Sequence, residues 1–255
     1  MSALARALRA ETLKLRGARV TVIAGLLLVA GVVSITSAMT LDLGDAPTLA
    51  GSKLTTFAVT DAASFVATAA QIAAVSSLLA FGICAAWITG REFVDGTVAG
   101  LFARPTSRAV IATAKLLVHL AWCSVISLLV LTAIVTAIVL LGFGWPDRDT
   151  WSAIGRLGTS MLITALLSSV ASLVATLARG YLAAIGVLMA LVAVSQVAVI
   201  VGLGSWFPFS APTLWALLGR SGASEGALLV AATAGLVLYV LTVVAWRRLR
   251  VAAAG

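Results

Sequence analysis

The chain has 255 residues, of which 62% are hydrophobic and 10% charged, with a mean hydropathy of +1.14. These values exclude an ordinary soluble domain. The net charge of +8 comes from basic residues that flank apolar runs, so anionic lipid headgroups are the implied partner and nucleic acid is not.

Residues 3–17 place Leu4, Leu8 and Leu15 on one helical face and Arg6, Arg9 and Arg16 opposite. This pattern predicts a basic amphipathic helix lying in the inner membrane interface. Glu11 falls inside the leucine stripe, an odd place for a lipid-facing carboxylate. It pairs with Lys14 three residues on, or it reaches another segment or partner. The basic start, the apolar run 20–33 and the small residues 34–38 loosely fit a secretory signal. The long amphipathic lead-in argues against cleavage.

Six apolar runs can each cross about 30 Å of hydrocarbon: 20–41, 62–89, 109–143, 152–177, 181–203 and 226–246. They are continuously apolar and do not alternate, so helices are expected and not a barrel. The third is too long for one crossing at ~1.5 Å per residue. Its first turns, with Lys115, are expected to enter the cytoplasm or snorkel to the headgroups. No linker or soluble domain interrupts residues 1–255, which read as one membrane domain. The expected fold is an all-α integral membrane protein with six transmembrane helices and an interfacial N-terminal helix.

With both termini inside, thirteen of the 17 Lys and Arg residues fall on the inner side, together with Glu11, Glu92 and Asp95. The other acidic residues lie outside. This bias satisfies the positive-inside rule. Trp145, Trp151, Trp206 and Trp215 then fall near the outer interface, and Trp87 and Trp246 at the inner one. Before the last span, residues 205–219 (SWFPFSAPTLWALLG) are apolar but broken by Pro208 and Pro212. They predict a short outer hairpin, either re-entrant or lying on the surface as a loop with Trp anchors.

The most informative stretch is 90–115, GREFVDGTVAGLFARPTSRAVIATAK. Glu92 ends a membrane helix. Gly96 permits a tight turn and Thr97 is a candidate N-cap. Val98, Leu101 and Phe102 follow at i, i+3, i+4 and form the apolar face of a short helix. Pro105 stops it, flanked by Arg104 and Arg108. A capped short helix with an exposed apolar face suggests docking to a soluble partner.

The run Glu92-Phe93-x-x-Gly96-Thr97, followed by Arg104-Pro105-x-Ser107-Arg108 and Lys115, resembles the cytoplasmic coupling segment (91–108) of ABC transporter permeases of the ABC-two export type. The resemblance implies a prokaryotic permease subunit in the plasma membrane. Its partners would be an ABC ATPase subunit in two copies and a second permease chain, as homodimer or heterodimer. ATP and Mg would bind that ATPase, with no cofactor on this chain. It implies coupling roles for Glu92, Phe93, Gly96, Thr97, Val98, Leu101, Phe102, Arg104, Pro105 and Arg108. Family members often carry a comparable Glu and Lys before the first span, which adds Glu11 and Lys14 to the candidates. Lys115 and His119 are further candidates for the coupling or interface region.

Chemistry is otherwise sparse. No G-x-x-x-x-G-K-[ST], G-x-S-x-G or H-E-x-x-H motif is present. Cys84 and Cys123 with one histidine have no metal-ligand spacing, and a disulfide is not expected there. His119 is a proton relay or a packing residue; Gln196 bonds across helices or lines a substrate path. The pairs Gly82/Ala86, Ala171/Ala175 and Gly186/Ala190 permit close helix approach. The expected function is ATP-driven export of a lipophilic or amphipathic cargo. The alternative is an ion-gradient-driven secondary transporter, which would need acidic residues or broken helices at the midplane; neither is read here. An intramembrane enzyme would need His119 as base near Ser124 or Ser127.

Overall fold

The computed structural model describes residues 2–40, 59, 61–102 and 106–249, with the side chains of Ala99 and Phe102 excepted. Arg104 and Pro105 lie outside the described residues. In chain order the helices are α1 (Ala3–Arg16), α2 (Arg19–Ala38), α3 (Ala62–Val94), α4 (Val98–Phe102) and α5 (Arg108–Leu140). Then come α6 (Arg148–Leu167), α7 (Ser169–Leu177), α8 (Leu182–Ile200), α9 (Ala211–Leu218) and α10 (Glu225–Arg248). Local chemistry sets many of the starts. Asp61 and Ser64 form a reciprocal capping box on α3, and Ser107, Asp147 and Ser224 cap α5, α6 and α10.

Six segments are long and apolar enough to cross a membrane: α2, α3, α5, the α6–α7 pair, α8 and α10. The chain is an all-α, multi-pass membrane protein, as the composition implies. The end carrying Arg91, Arg108, Arg179 and Arg247 is called the basic face below. At ~1.5 Å per residue, the 33-residue helices α3 and α5 are each about 50 Å long, well beyond the hydrocarbon thickness.

α3 is the central strut and packs against α2, α5, α6, α7 and α8. Its half away from the basic face joins Leu28, Val32, Val130, Ile134, Leu157 and Met161 in the main core around Phe65 and Phe81. Its half toward the basic face packs small residues, Ala85 and Ala86 against Ala171, Ala175 and Ala184. Without water between helices, close contact and hydrogen bonds hold such a bundle together. Gly82 lets Leu188 of α8 lie where a Cβ would sit, 2.5 Å from that side chain. Two of the three small-residue pairs are therefore internal seams, while Gly186 and Ala190 on α8 are exposed.

The fourth span is not one helix. It breaks at Ser168, a correction to the expectation of unbroken spans. Two hydroxyls take up carbonyls at the break: Ser168 Oγ donates to Ala165 O at 2.7 Å and Ser169 Oγ to Leu166 O at 2.7 Å. Gly235 of α10 presses against the break; a Cβ there would lie 2.9 Å from the Leu166 carbonyl carbon. Beyond the break α7 binds its neighbours through hydroxyls. Ser172 accepts from Thr89 Oγ1 at 3.1 Å, and Thr176 accepts from Trp246 Nε1 at 3.0 Å.

The stretch before the last span folds back as expected. Ser210 Oγ donates to Gly204 O at 2.7 Å, and α9 packs on α6 and α3 with Ala211, Pro212 and Ala216 buried. Trp145, Trp151 and Trp206 are exposed at that far end. Trp246, read from sequence as an interfacial anchor, is instead fully buried.

Gly235→Ala must push α10 off the Leu166 backbone and should cost roughly 1–3 kcal/mol. Gly186→Ala meets open space and should be neutral or slightly stabilising. Thermal unfolding in mild detergent separates the two; equal midpoints would refute the close approach.

Candidate functional site

Lys115 sits one turn before His119 on α5 and is 2% exposed. A buried ammonium must be matched in charge and in all three of its N–H donors. Both requirements are met. Nζ donates to Glu11 Oε2 at 2.9 Å, to Glu92 Oε1 at 2.7 Å and to the Ile88 carbonyl at 3.3 Å. It also lies 5.8 Å from the centre of the Trp246 ring, within cation–π range. The Lys115 side chain therefore does not reach out to the surface. α1 covers it and brings a carboxylate, which removes any need to reach the headgroups.

Lys14 closes the cluster. Its Nζ donates to Glu11 Oε1 at 2.8 Å and to Glu92 Oε1 at 2.7 Å. Two ammoniums and two carboxylates thus balance, linking α1, the end of α3 and the start of α5. Glu11 and Glu92 are both buried, and Glu92 Oε2 has no hydrogen-bond partner. Both readings offered for Glu11 hold together: it pairs with Lys14 and it reaches another segment. The leucine stripe faces protein, not lipid, since Leu8 and Leu15 pack with Ile88, Val118, Trp87 and Trp122. Burial works against the Lys14 charge, but the bonds to Glu11 and Glu92 outweigh it and raise its pKa above the usual lysine value.

The 91–108 segment springs from this cluster. Gly96 has φ +67°, the left-handed turn its position suggested. Thr97 directly precedes α4, and its hydroxyl donates back to the Glu92 carbonyl at 3.4 Å. That ties the turn to the end of α3. Leu101 turns toward the protein, packing with Ile111, Ala112 and Trp246 alongside Phe93. Val98 is half-buried. The apolar face of α4 is thus partly occupied by this chain, because Trp246 fills the space at its inner side. Arg108 donates to the Leu249 carbonyl, joining the start of α5 to the end of α10. A cavity of about 600 Å³ opens between α1 and α4, with Arg6, Lys14, Arg91, Glu92 and Thr97 in its wall.

His119 is buried and hydrogen-bonded to Ser168 at the helix break, 3.0 Å from Nε2 to Oγ. The serine hydroxyl gives its proton to Ala165 O, so it accepts from the ring N–H. Ser124 and Ser127 instead bond carbonyls of their own helix. The serine that faces His119 is Ser168, whose hydroxyl proton is taken up by the Ala165 carbonyl. Among the described residues no group of His, Cys, Asp and Glu is arranged to hold a metal. Gln196 is exposed on α8 and lines a cavity of about 360 Å³ with Gln71 and Thr213.

Three contributors escaped the sequence reading. Gly90 allows the loop after α7 to touch α3; a Cβ would lie 2.7 Å from the Tyr181 nitrogen. A glycine just before the Arg-Glu of a helix end was the available sign. The Ile88 carbonyl and the buried Trp246 had none, since contact across helices leaves no local pattern.

The model for ABC-2 family transporter proteins matches residues 7–195. The chain belongs to this family. Among curated proteins no sequence matches it. As an ABC-2 family member it is the membrane subunit of an ABC transporter. The match contains the whole Glu11–Lys14–Glu92–Lys115 cluster, whereas Trp246 and α9 lie beyond it.

Lys115→Met leaves two buried carboxylates with one ammonium and should cost about 3–5 kcal/mol. Lys14→Met should cost much less, because the Lys14 side chain is 39% exposed. Equal losses in detergent unfolding would refute Lys115 as the hub. A raised folded pKa stabilises fully below the unfolded value of 10.5 and is lost as pH rises through the folded value. Stability above pH 10.5 should therefore fall less steeply in Lys14→Arg than in the native chain.

Proposed function

We propose that this ABC-2 permease works in an ATP-driven exporter of the plasma membrane, with both termini in the cytoplasm. A separate ATPase, in two copies, binds ATP and Mg, and this chain carries no cofactor of its own. A second permease chain, identical or related, completes the pathway. In this reading residues 1–255 act as a single permease domain and 91–108 as its coupling segment. The observation that carries the proposal is the buried cluster centred on Lys115. It ties the base of the 91–108 segment to two other helices, as a handle that transmits force requires.

The roles follow from the contacts. Glu92 anchors the handle, and Gly96 and Thr97 shape its turn. Val98, Leu101 and Phe102 form the short helix that the ATPase would displace. Leu101 and Phe93 rest on Trp246 and Ile111, so a push on α4 reaches α10 and α5. Arg104, Pro105 and Arg108 bound the handle, with the arginines near acidic protein surface or lipid. Glu11, Lys14 and Lys115 form the clamp that keeps the handle registered to the bundle. ATP binding would bring two ATPases together, and the two handles with them, shifting the dimer between two arrangements. The cargo is lipophilic or amphipathic, in line with the absence of charge from the span centres.

The break at Ser168 is the one feature that favours a gradient-driven transporter. No Asp or Glu lies in residues 150–177 or on α8, so the carboxylate that such a mechanism needs is not supplied near it. Purification from the native host in mild detergent should recover a soluble ATPase with the native chain. Glu92→Ala should lose that subunit, or retain it with cargo-stimulated ATP hydrolysis down roughly tenfold or more. Transport that runs on a proton or sodium gradient without any ATPase would overturn the proposal.

A further inference from the structure

A groove of about 840 Å³ runs along the outward side of α2 and α5, with the end of α1 at its mouth. Its size suits one amphiphile. The wall is chemically apolar even where hydroxyls occur. Thr21 donates to Leu15 O and Ala18 O, Thr132 to Leu128 O, and Thr136 to Thr132 O. Every hydroxyl in the wall is thus spent on backbone. The charged group lining the groove is Arg16, which is exposed at the basic end. Arg16 makes no ion pair with a described residue, and Arg19, also exposed, starts α2 beside it.

The groove has a floor and a rim. At Gly25 the two helices close up, since a Cβ there would lie 2.8 Å from Ile126 Cδ1. Val22, Leu26, Val125 and Leu129 at the rim are exposed, so the groove opens sideways toward the bilayer. The α2 wall from Thr21 to Val33 is about 18 Å long and the α5 wall from Trp122 to Leu140 about 27 Å, room for an extended acyl chain. An apolar slot of this length, open at the side and carrying a guanidinium at its basic end, matches one chemistry. We propose that it holds an anionic phospholipid of the leaflet at the basic face, acyl chain along α2 and α5, phosphate on Arg16. The occupant also bears on α1. That helix carries Arg16 at its end and Glu11 on its buried side, so a headgroup on Arg16 steadies the helix that covers Lys115. The proposal does not depend on an ATPase.

The test reconstitutes the full chain into phosphatidylcholine vesicles with or without phosphatidylglycerol. The protein is then re-extracted in mild detergent, and co-extracted lipid is measured by mass spectrometry. The native chain should retain phosphatidylglycerol in preference to phosphatidylcholine. Arg16→Gln should reduce that preference about fivefold, the worth of one interfacial cation. Ala133→Phe, which fills the groove wall, should reduce retention of both lipids. Arg220→Gln, at the far end, should change neither. Gel filtration and unfolding midpoints exclude a folding defect as the cause. Equal retention of the two lipids by the native chain overturns the proposal, as does undiminished phosphatidylglycerol preference in Arg16→Gln or undiminished retention in Ala133→Phe.

Discussion

A lysine ammonium taken out of water is the constraint on which the rest of this molecule turns. Lys115 cannot be buried on α5 unless carboxylates follow it, and no residue of α5 itself can supply one. The two that do both come from earlier in the sequence, on different helices. Glu92 arrives at the last turn of α3, and Glu11 arrives on a helix that precedes every span. The placement of α1 against the bundle is thus an electrostatic necessity as much as a matter of its leucines. Lys14 then makes the total neutral. The unpartnered Glu92 Oε2 shows where that balance is least complete.

A second constraint is backbone accounting in a place without water. The bend at Ser168 interrupts the ladder of the fourth span. Serine hydroxyls, a histidine ring and a close-lying glycine of α10 make up for it. The same helix then uses Ser172 and Thr176 to hold α3 and α10. Small polar residues here serve as fasteners between helices, each at a carbonyl or hydroxyl of a different neighbour.

Much of this was legible in the sequence where the signal is local. Six apolar runs foretold six spans, the hairpin announced itself through Pro208 and Pro212, and Gly96 adopts the positive φ that its turn demands. What failed were readings that needed a neighbour. Trp246 carries interfacial composition around it, yet the space beneath Leu101 and Phe93 claims it for the core. Lys115 looks like a snorkelling residue until the helix that covers it is known. The bond from the Thr97 hydroxyl back to the Glu92 carbonyl also left no local sign. Ser168 sits among residues with ordinary helical preference, and the break arises from contacts made by α5 and α10. Pattern along a chain encodes exposure to solvent or lipid; it does not encode which of two buried partners a polar group meets.

The length of α3 and α5 has a mechanical reading. Each rod stands about 50 Å tall, so roughly 20 Å of it lies beyond the hydrocarbon. With the far half wedged among Phe65, Val130 and Ile134, the bundle acts as a fulcrum. A tilt of about 5° around its centre carries either tip some 2 Å sideways. Because Glu92 and Lys115 bolt the two rods together near one tip, they swing as a pair of shears riveted at the handles, without splaying.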